Sequence, residues 1–198
     1  MPARKPARIS EKDYLAGERG ATERHEYVDG VVYAMSGETQ RHNVIVGNLY
    51  MALRAHLRGR PCIVTMEGVQ VHAAKSKAYY YPDIAVSCPP EGAPPANATY
   101  QVEHPTLIVE VLSESTEGND RSHKWHAYRR LPSLQEYVLV SQDRRQVELF
   151  RRKGEIGWLH LVYAPDEDLD LPSVGLVLPM ASLYEGTDSP VEADSWLR

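Results

Sequence analysis

Several features are scarce in this sequence, and each scarcity narrows what the chain can be. No apolar run approaches the ~18–20 residues that a bilayer span requires, so a membrane protein built on spanning helices is excluded. The opening stretch from Met1 to Ser10 is basic but has no apolar core, which is not how a secretory signal reads. Two cysteines, Cys62 and Cys88, lie 26 positions apart and in no C-x-x-C pair, which excludes zinc ribbons and thioredoxin-type motifs. Each is bordered by apolar, strand-like sequence, and buried free thiols are expected. Positive charge is short as well. The 22 Lys and Arg against 27 Asp and Glu leave a formal −5, which rules out a basic coat over the whole surface but not a local patch. Also missing are the G-x-x-x-x-G-K-[ST] phosphate loop, the G-x-S-x-G elbow and H-E-x-x-H. The eight histidines show no metal-ligand spacing, and Asn97-Ala98-Thr99 is a chance sequon. At 42% hydrophobic and 25% charged the composition is near the globular average, which argues against disorder or a collagen-like repeat. A soluble, cytoplasmic protein of one domain is expected, with no membrane partner.

The pattern along the chain is mixed. Residues 1–9 read as a flexible basic lead, 10–185 as a single domain and 186–198 as a flexible acidic tail. Ser10, followed by Glu11 and Asp13, is placed to cap a short helix to about Glu18. Asp29-Gly30 between two β-prone runs predicts a hairpin. Val44, Ile45, Leu49, Ala52, Leu53 and Leu57 recur at helical spacing over 40–58, with Gly59-Arg60-Pro61 as the stop. Strands are expected at 62–72, 79–88, 106–112, 136–141, 145–152 and 157–163, with a proline-rich loop over 89–105 and a short helix over 120–130. Asp166-Glu167-Asp168 reads as solvated. The outcome is an α+β domain.

Three groups of residues could carry chemistry. Glu110 lies within Thr106-Leu107-Ile108-Val109-Glu110-Val111-Leu112, a strand apolar on both faces. It shares a face with Ile108 and Leu112, where a carboxylate is costly unless paired or metal-bound; a buried salt bridge is the competing explanation. Asp83 follows Tyr81-Pro82 at the mouth of the 79–88 strand, on a face of small residues with Ala85 and Ser87. By itself it reads as a turn or capping aspartate sooner than as an ion ligand. Asp120, a plausible N-cap, falls with Lys124 and Tyr128 on one helix face, and a surface pair between Asp120 and Lys124 would explain the first two. Two carboxylates on core strands plus a lysine form a set suited to phosphodiester cleavage. Oxygen ligands hold Mg²⁺, the ion activates a water, and the lysine orients it and offsets developing charge.

Pro82-Asp83, Glu110-Val111-Leu112-Ser113 and the helix bearing Asp120, Lys124 and Tyr128 resemble the Uma family of putative restriction endonucleases, of the PD-(D/E)XK superfamily. Glu26-Tyr27-Val28-Asp29-Gly30, His42-Asn43, Val69-Gln70-Val71 and Glu136-Tyr137-Val138-Leu139-Val140 also match its pattern, so the resemblance runs in order from about residue 8 to 185. It implies a restriction-endonuclease-like mixed β-sheet flanked by a long helix and a short helix. It also implies Asp83 and Glu110 as ligands of Mg²⁺ or Mn²⁺ and Lys124 as the catalytic lysine. One departure stands out: two residues after Glu110 comes Leu112, where the superfamily places lysine, so Lys124 on the following helix stands in. Glu26, His42, Gln70 and Tyr128 are implied as supporting residues.

The expected activity is therefore metal-dependent endonucleolytic cleavage with nucleic acid, DNA foremost, as partner, by a chain that could act as a homodimer. Arg121, Arg129 and Arg130 are candidates for phosphate contacts, and further Arg clusters lie at 54–60 and 144–153. The alternative is a catalytically inactive nuclease-fold module for nucleic-acid binding or protein interaction. A glycosidase with Asp83 and Glu110 as paired acids leaves Lys124 without a role.

Overall fold

The computed structural model describes residues 8–89, 100–102 and 104–191. Ser10 accepts a hydrogen bond from the Asp13 amide and caps α1 (Glu11–Glu18), as its sequence predicts. A hairpin follows, β1 (His25–Val28) and β2 (Val31–Ala34), with Asp29 and Gly30 both at positive φ, the geometry that two-residue hairpin turns require. Thr39 caps the long helix α2 (Gln40–His56). Next come β3 (Ile63–Met66), β4 (Gln70–Ala73), β5 (Ala78–Tyr80), β6 (Ile84–Ser87), β7 (Gln101–Val102) and β8 (Pro105–Leu112). A helix over 117–128 leads to β9 (Glu136–Ser141), β10 (Val147–Arg152) and β11 (Trp158–Tyr163). The domain closes with β12 (Asp168–Leu171), β13 (Leu176–Pro179) and a helical turn, Met180–Leu183.

The centre is a six-stranded sheet in the order β11-β10-β9-β8-β6-β3, with β8 and β9 parallel and the other pairs antiparallel. Parallel neighbours need a crossover, and the 117–128 helix supplies it. On one face Leu107, Val109 and Val111 meet Ile45, Leu49 and Leu53 of α2, together with Leu169, Leu171 and Leu176 of the β12–β13 hairpin. On the other, Ile108 and Leu112 meet Tyr80, Tyr128 and Tyr137. Strand β8 is thus covered on both sides, the reason its sequence is apolar throughout. Each fully buried Leu or Ile side chain here contributes ~1.5–3 kcal/mol. A second sheet, β2-β1-β5-β4-β7, lies against that second face.

Several expectations need correction. The 79–88 strand is two strands in two different sheets, because Tyr81-Pro82-Asp83 breaks the ladder between β5 and β6. Asp120 is not an N-cap: the helix begins at Glu117, and Asp120–Lys124 is a π-helical turn inside it. The cysteines are not free thiols. Pairing of Ile63 with Ser87 brings Cys62 opposite Cys88, and the two form a disulfide with Cα atoms 4.1 Å apart. The hairpin β12–β13 was not anticipated, although Asp166, Glu167 and its first residue Asp168 are exposed as expected. Of the tail expected after Glu185, residues up to Val191 are described, and Ser189 is buried with its hydroxyl donating to the Gln142 carbonyl at 2.9 Å. The sequon at 97–99, most of the 89–105 loop, residues 1–7 of the lead and 192–198 of the tail lie outside the described residues. Among the described residues no helix is long and apolar enough to cross a membrane.

Candidate active site

The break at Pro82 brings Asp83 to the site. Strand β6 pairs Ile84 with Val109, and one further step sets Asp83 opposite Glu110. Both then point to the same face of the sheet, as residues directly opposite in a ladder do. Asp83 Oδ2 accepts from the Val111 amide at 2.6 Å and stands 3.3 Å from His42 Nε2, which α2 delivers from behind. A further acid, Glu38, lies 3.7 Å from the same imidazole nitrogen. Burial pulls His42 down, but the hydrogen bond and charge of Asp83, with Glu38 beside it, outweigh this and leave its pKa raised.

Lys124 reaches the same space from the 117–128 helix. Its ammonium lies 3.1 Å from Glu110 Oε1, 3.1 Å from Glu26 Oε1 and 3.0 Å from Asp120 Oδ1. All four side chains are nine-tenths or more buried, so the surface pair that could have explained Asp120 and Lys124 is ruled out. The π-helical turn contributes here, and the Tyr137 hydroxyl braces it by donating to the Asp120 carbonyl at 3.0 Å. Tyr128 donates to Glu110 Oε1 at 3.2 Å from one turn further along.

Burial sets the electrostatics. It drives Glu110 well above the usual carboxylate range; Lys124 opposes the rise, while Asp120, Asp83 and Glu26 add to it. Glu26 is raised for the same reason and is partly relieved by Lys124. Burial alone would lower Lys124, but the charges of Glu110, Glu26 and Asp120 prevail and hold its pKa well above the ordinary lysine value. The lysine is therefore a fixed cation at neutral pH.

These groups line a cleft of about 540 Å³, together with Tyr33, Met35 and Ser36 from the hairpin that carries Glu26. The structure brings together Asp83, Glu110, Lys124, Glu26, His42 and Tyr128. It does not bring Gln70, whose Nε2 donates to the Tyr14 hydroxyl at 2.7 Å in a separate pocket beyond Tyr81. Asp120 and Glu38 were missed as site residues. The helical spacings Asp120–Lys124 and Glu38–His42 were the available signals, but spacing does not tell which face turns inward.

The donor set is made of hard oxygen ligands, the kind Mg²⁺ and Mn²⁺ prefer. Glu26 Oε1 and Asp120 Oδ1 have the ammonium as their ion-pair partner, at 3.1 and 3.0 Å. Among the described residues no three Asp, Glu, His or Cys side chains stand at ligand spacing around one point. Asp83 and Glu110, on facing positions of adjacent strands, are of the ligand type that a hard divalent cation takes.

The basic residues are mostly spent elsewhere. Arg121 bonds Glu117 at 2.7 Å and pairs with Glu148, while Arg129 lies over the Trp125 ring at 5.9 Å. Arg129 and Arg130 are exposed, but outside the cleft. Arg152 donates to the carbonyls of Arg129, Leu131 and Leu134, closing the 117–128 helix and its loop, and Arg151 is paired with Glu136.

Comparison with known proteins follows the same outline. A crystal structure of "a putative nuclease belonging to DUF820" from Anabaena variabilis superimposes with a TM-score of 0.71 at 19% identity, covering 89% of this chain and 97% of that one. Two Synechocystis sp. proteins are similar in sequence. "Uncharacterized protein slr1290" is 35% identical across 90% of this chain and 93% of its own length. "Uncharacterized protein sll1609" is 33% identical across 76% and 85%. The model of the family Uma2, described as "Putative restriction endonuclease", matches residues 12–182, from the first helix to the last. The chain belongs to the Uma2 family of putative restriction endonucleases.

Proposed function

We propose that this protein is a metal-dependent endonuclease that hydrolyses phosphodiester bonds, with DNA as its substrate. The observation that carries the reading is the approach of the Lys124 ammonium to 3.1 Å from Glu110, on the face where Asp83 stands opposite Glu110. Two carboxylates that can take a metal ion and a cation that can meet the charge developing on phosphate suit phosphodiester hydrolysis, and three separate elements deliver them to one cleft.

Asp83 and Glu110 would hold Mg²⁺ or Mn²⁺. Such an ion, when bound, polarises the phosphate and lowers the pKa of its water. Lys124 stays protonated, so its part is to orient the attacking water and meet the negative charge that develops on phosphate, not to accept a proton. Glu26 and Asp120 hold the lysine head in place. His42 and the Val111 amide both contact Asp83 Oδ2, which orients that carboxylate.

One observation favours a second reading, a nuclease fold that binds without cutting: Lys124 is already surrounded by three carboxylates. A cleavage assay on DNA with Mg²⁺, Mn²⁺ or EDTA, beside Asp83→Ala and Lys124→Ala, separates the two. Metal-dependent cleavage lost in both variants supports the nuclease. Binding without cleavage by the unaltered protein, with either ion, supports the second reading.

A further inference from the structure

The cleft combines a strongly acidic floor with an exposed aromatic wall. Glu26, Glu38, Asp83, Glu110 and Asp120 line it, with Lys124 as the one lysine or arginine among the described lining residues. Phosphate neutralisation by free cations, the usual source of affinity for a duplex, is therefore weak inside it. Another contact has to hold a nucleic acid there.

Tyr33 is placed to provide it. Strand β2 is the open edge of its sheet, and the register pairs Tyr33 with Glu26. One step along the β1–β5 ladder, beyond the pairing of Tyr27 with Tyr79, Glu26 stands opposite Tyr80. Tyr33, Glu26 and Tyr80 thus form one row across three strands, on the face that looks into the cleft. Tyr80 is 1% exposed, with the Lys124 ammonium 5.9 Å from its ring centroid, whereas Tyr33 at the end of the row is 52% exposed. Met35, 42% exposed, extends the same wall. An aromatic ring left half in solvent, one strand away from the carboxylate that holds the catalytic lysine, is not explained by packing. Every base has a face that can stack on such a ring, but a base still paired within a duplex is stacked on its neighbours and does not offer it.

We infer that Tyr33 is a stacking platform for a base next to the scissile phosphate, and that the substrate of this cleft is an unpaired nucleotide, in single-stranded DNA or in a locally opened duplex. This inference rests on the nuclease reading for the word scissile but not for the binding it describes. It accounts for the shortage of free cations in the cleft, since stacking tolerates any sequence and requires no dense set of phosphate contacts.

The test uses oligonucleotides carrying 2-aminopurine, a base whose fluorescence reports stacking, as single strand and as matched duplex, with Ca²⁺ in place of Mg²⁺ to hold back cleavage. The single strand is expected to bind more tightly than the duplex and its fluorescence to change on binding. Tyr33→Ala should weaken single-strand binding about tenfold and abolish the fluorescence change, while Tyr33→Phe keeps both. Thermal melts confirm that both variants remain folded. Equal single-strand affinity in Tyr33→Ala, tighter binding to duplex, or no binding to either oligonucleotide overturns the inference. Tyr33-dependent binding without cleavage in Mg²⁺ or Mn²⁺ would uphold the platform and overturn the nuclease reading alone.

Discussion

Asp83 and Glu110 face each other across adjacent antiparallel strands, one register step past the Ile84–Val109 pair, and the amide of Val111 next to Glu110 donates to Asp83 at 2.6 Å. Two acids on facing positions of a core sheet repel each other, and different partners offset them: Lys124 stands 3.1 Å from Glu110 and His42 3.3 Å from Asp83.

Lys124 is the counter-charge for Glu26, Glu110 and Asp120. Replacing it by methionine keeps the volume but leaves three buried carboxylates without a cation, a change expected to cost ~3–5 kcal/mol at neutral pH. Urea denaturation measures it, and part of the loss should return in acid as the carboxylates take up protons. A Lys124→Met variant as stable as the parent at pH 7 would contradict the pairing described above.

Glu110→Gln should behave in the opposite way. With three carboxylates around one ammonium, removing one charge leaves Lys124 paired and relieves repulsion, so stability at neutral pH should hold or rise while cleavage is lost. A loss of several kcal/mol in EDTA would mark Glu110 as a structural partner of the lysine and not a metal ligand.

The raised values of Glu110 and Glu26 also predict a pH dependence. Between the unfolded value of about 4.3 and the higher folded values, the folded chain binds more protons than the unfolded one. The contribution of these groups to stability therefore falls as pH rises through that window. Lys124, whose folded value is also raised, contributes fully below the unfolded lysine value of about 10.4 and adds no slope near neutrality. Stability of the unaltered protein minus that of Glu110→Gln, followed from pH 4 to 8, should decline with rising pH. A difference that climbs would mean Glu110 is stabilised in its charged form.

Divalent metal should stabilise the folded state alone. At a hundred times its dissociation constant, Mg²⁺ or Mn²⁺ is expected to add about 2.7 kcal/mol. The melting temperature should rise with the ion and return with EDTA, and Asp83→Ala should abolish the rise. A rise that survives in Asp83→Ala would place the ion elsewhere.

The Cys62–Cys88 bond closes a loop of 26 positions, which in the chain-entropy account is worth ~3.5 kcal/mol. Thiol titration of the unreduced, denatured protein should find no free cysteine, and reduction should lower stability by about that amount. Two titratable thiols under non-reducing conditions would restore the expectation read from the flanking sequence.

What the sequence determined by itself was whatever depends on local periodicity. The Asp29-Gly30 hairpin, the apolar stripe of α2 and the two-faced burial of β8 follow from turn chemistry and from repeats of 3.6 and 2 residues, which the chain carries in any environment. The placement of Glu110 with Ile108 and Leu112 was legible for the same reason. Tertiary structure decided the rest, because it depends on which segments become neighbours. Asp120 and Lys124 at i, i+4 serve equally as a surface pair or as part of a buried cluster, and only docking of the 117–128 helix against Glu110 and Glu26 chooses. Pro82 interrupts a strand in either case, yet only the sheet order shows that the two halves join different sheets and that the break aims Asp83 at Glu110. Gln70 and Cys62 illustrate the same limit. A residue's own strand gives the face it occupies, but its partner comes from a strand elsewhere in the chain, whose register is set by packing both sheets together.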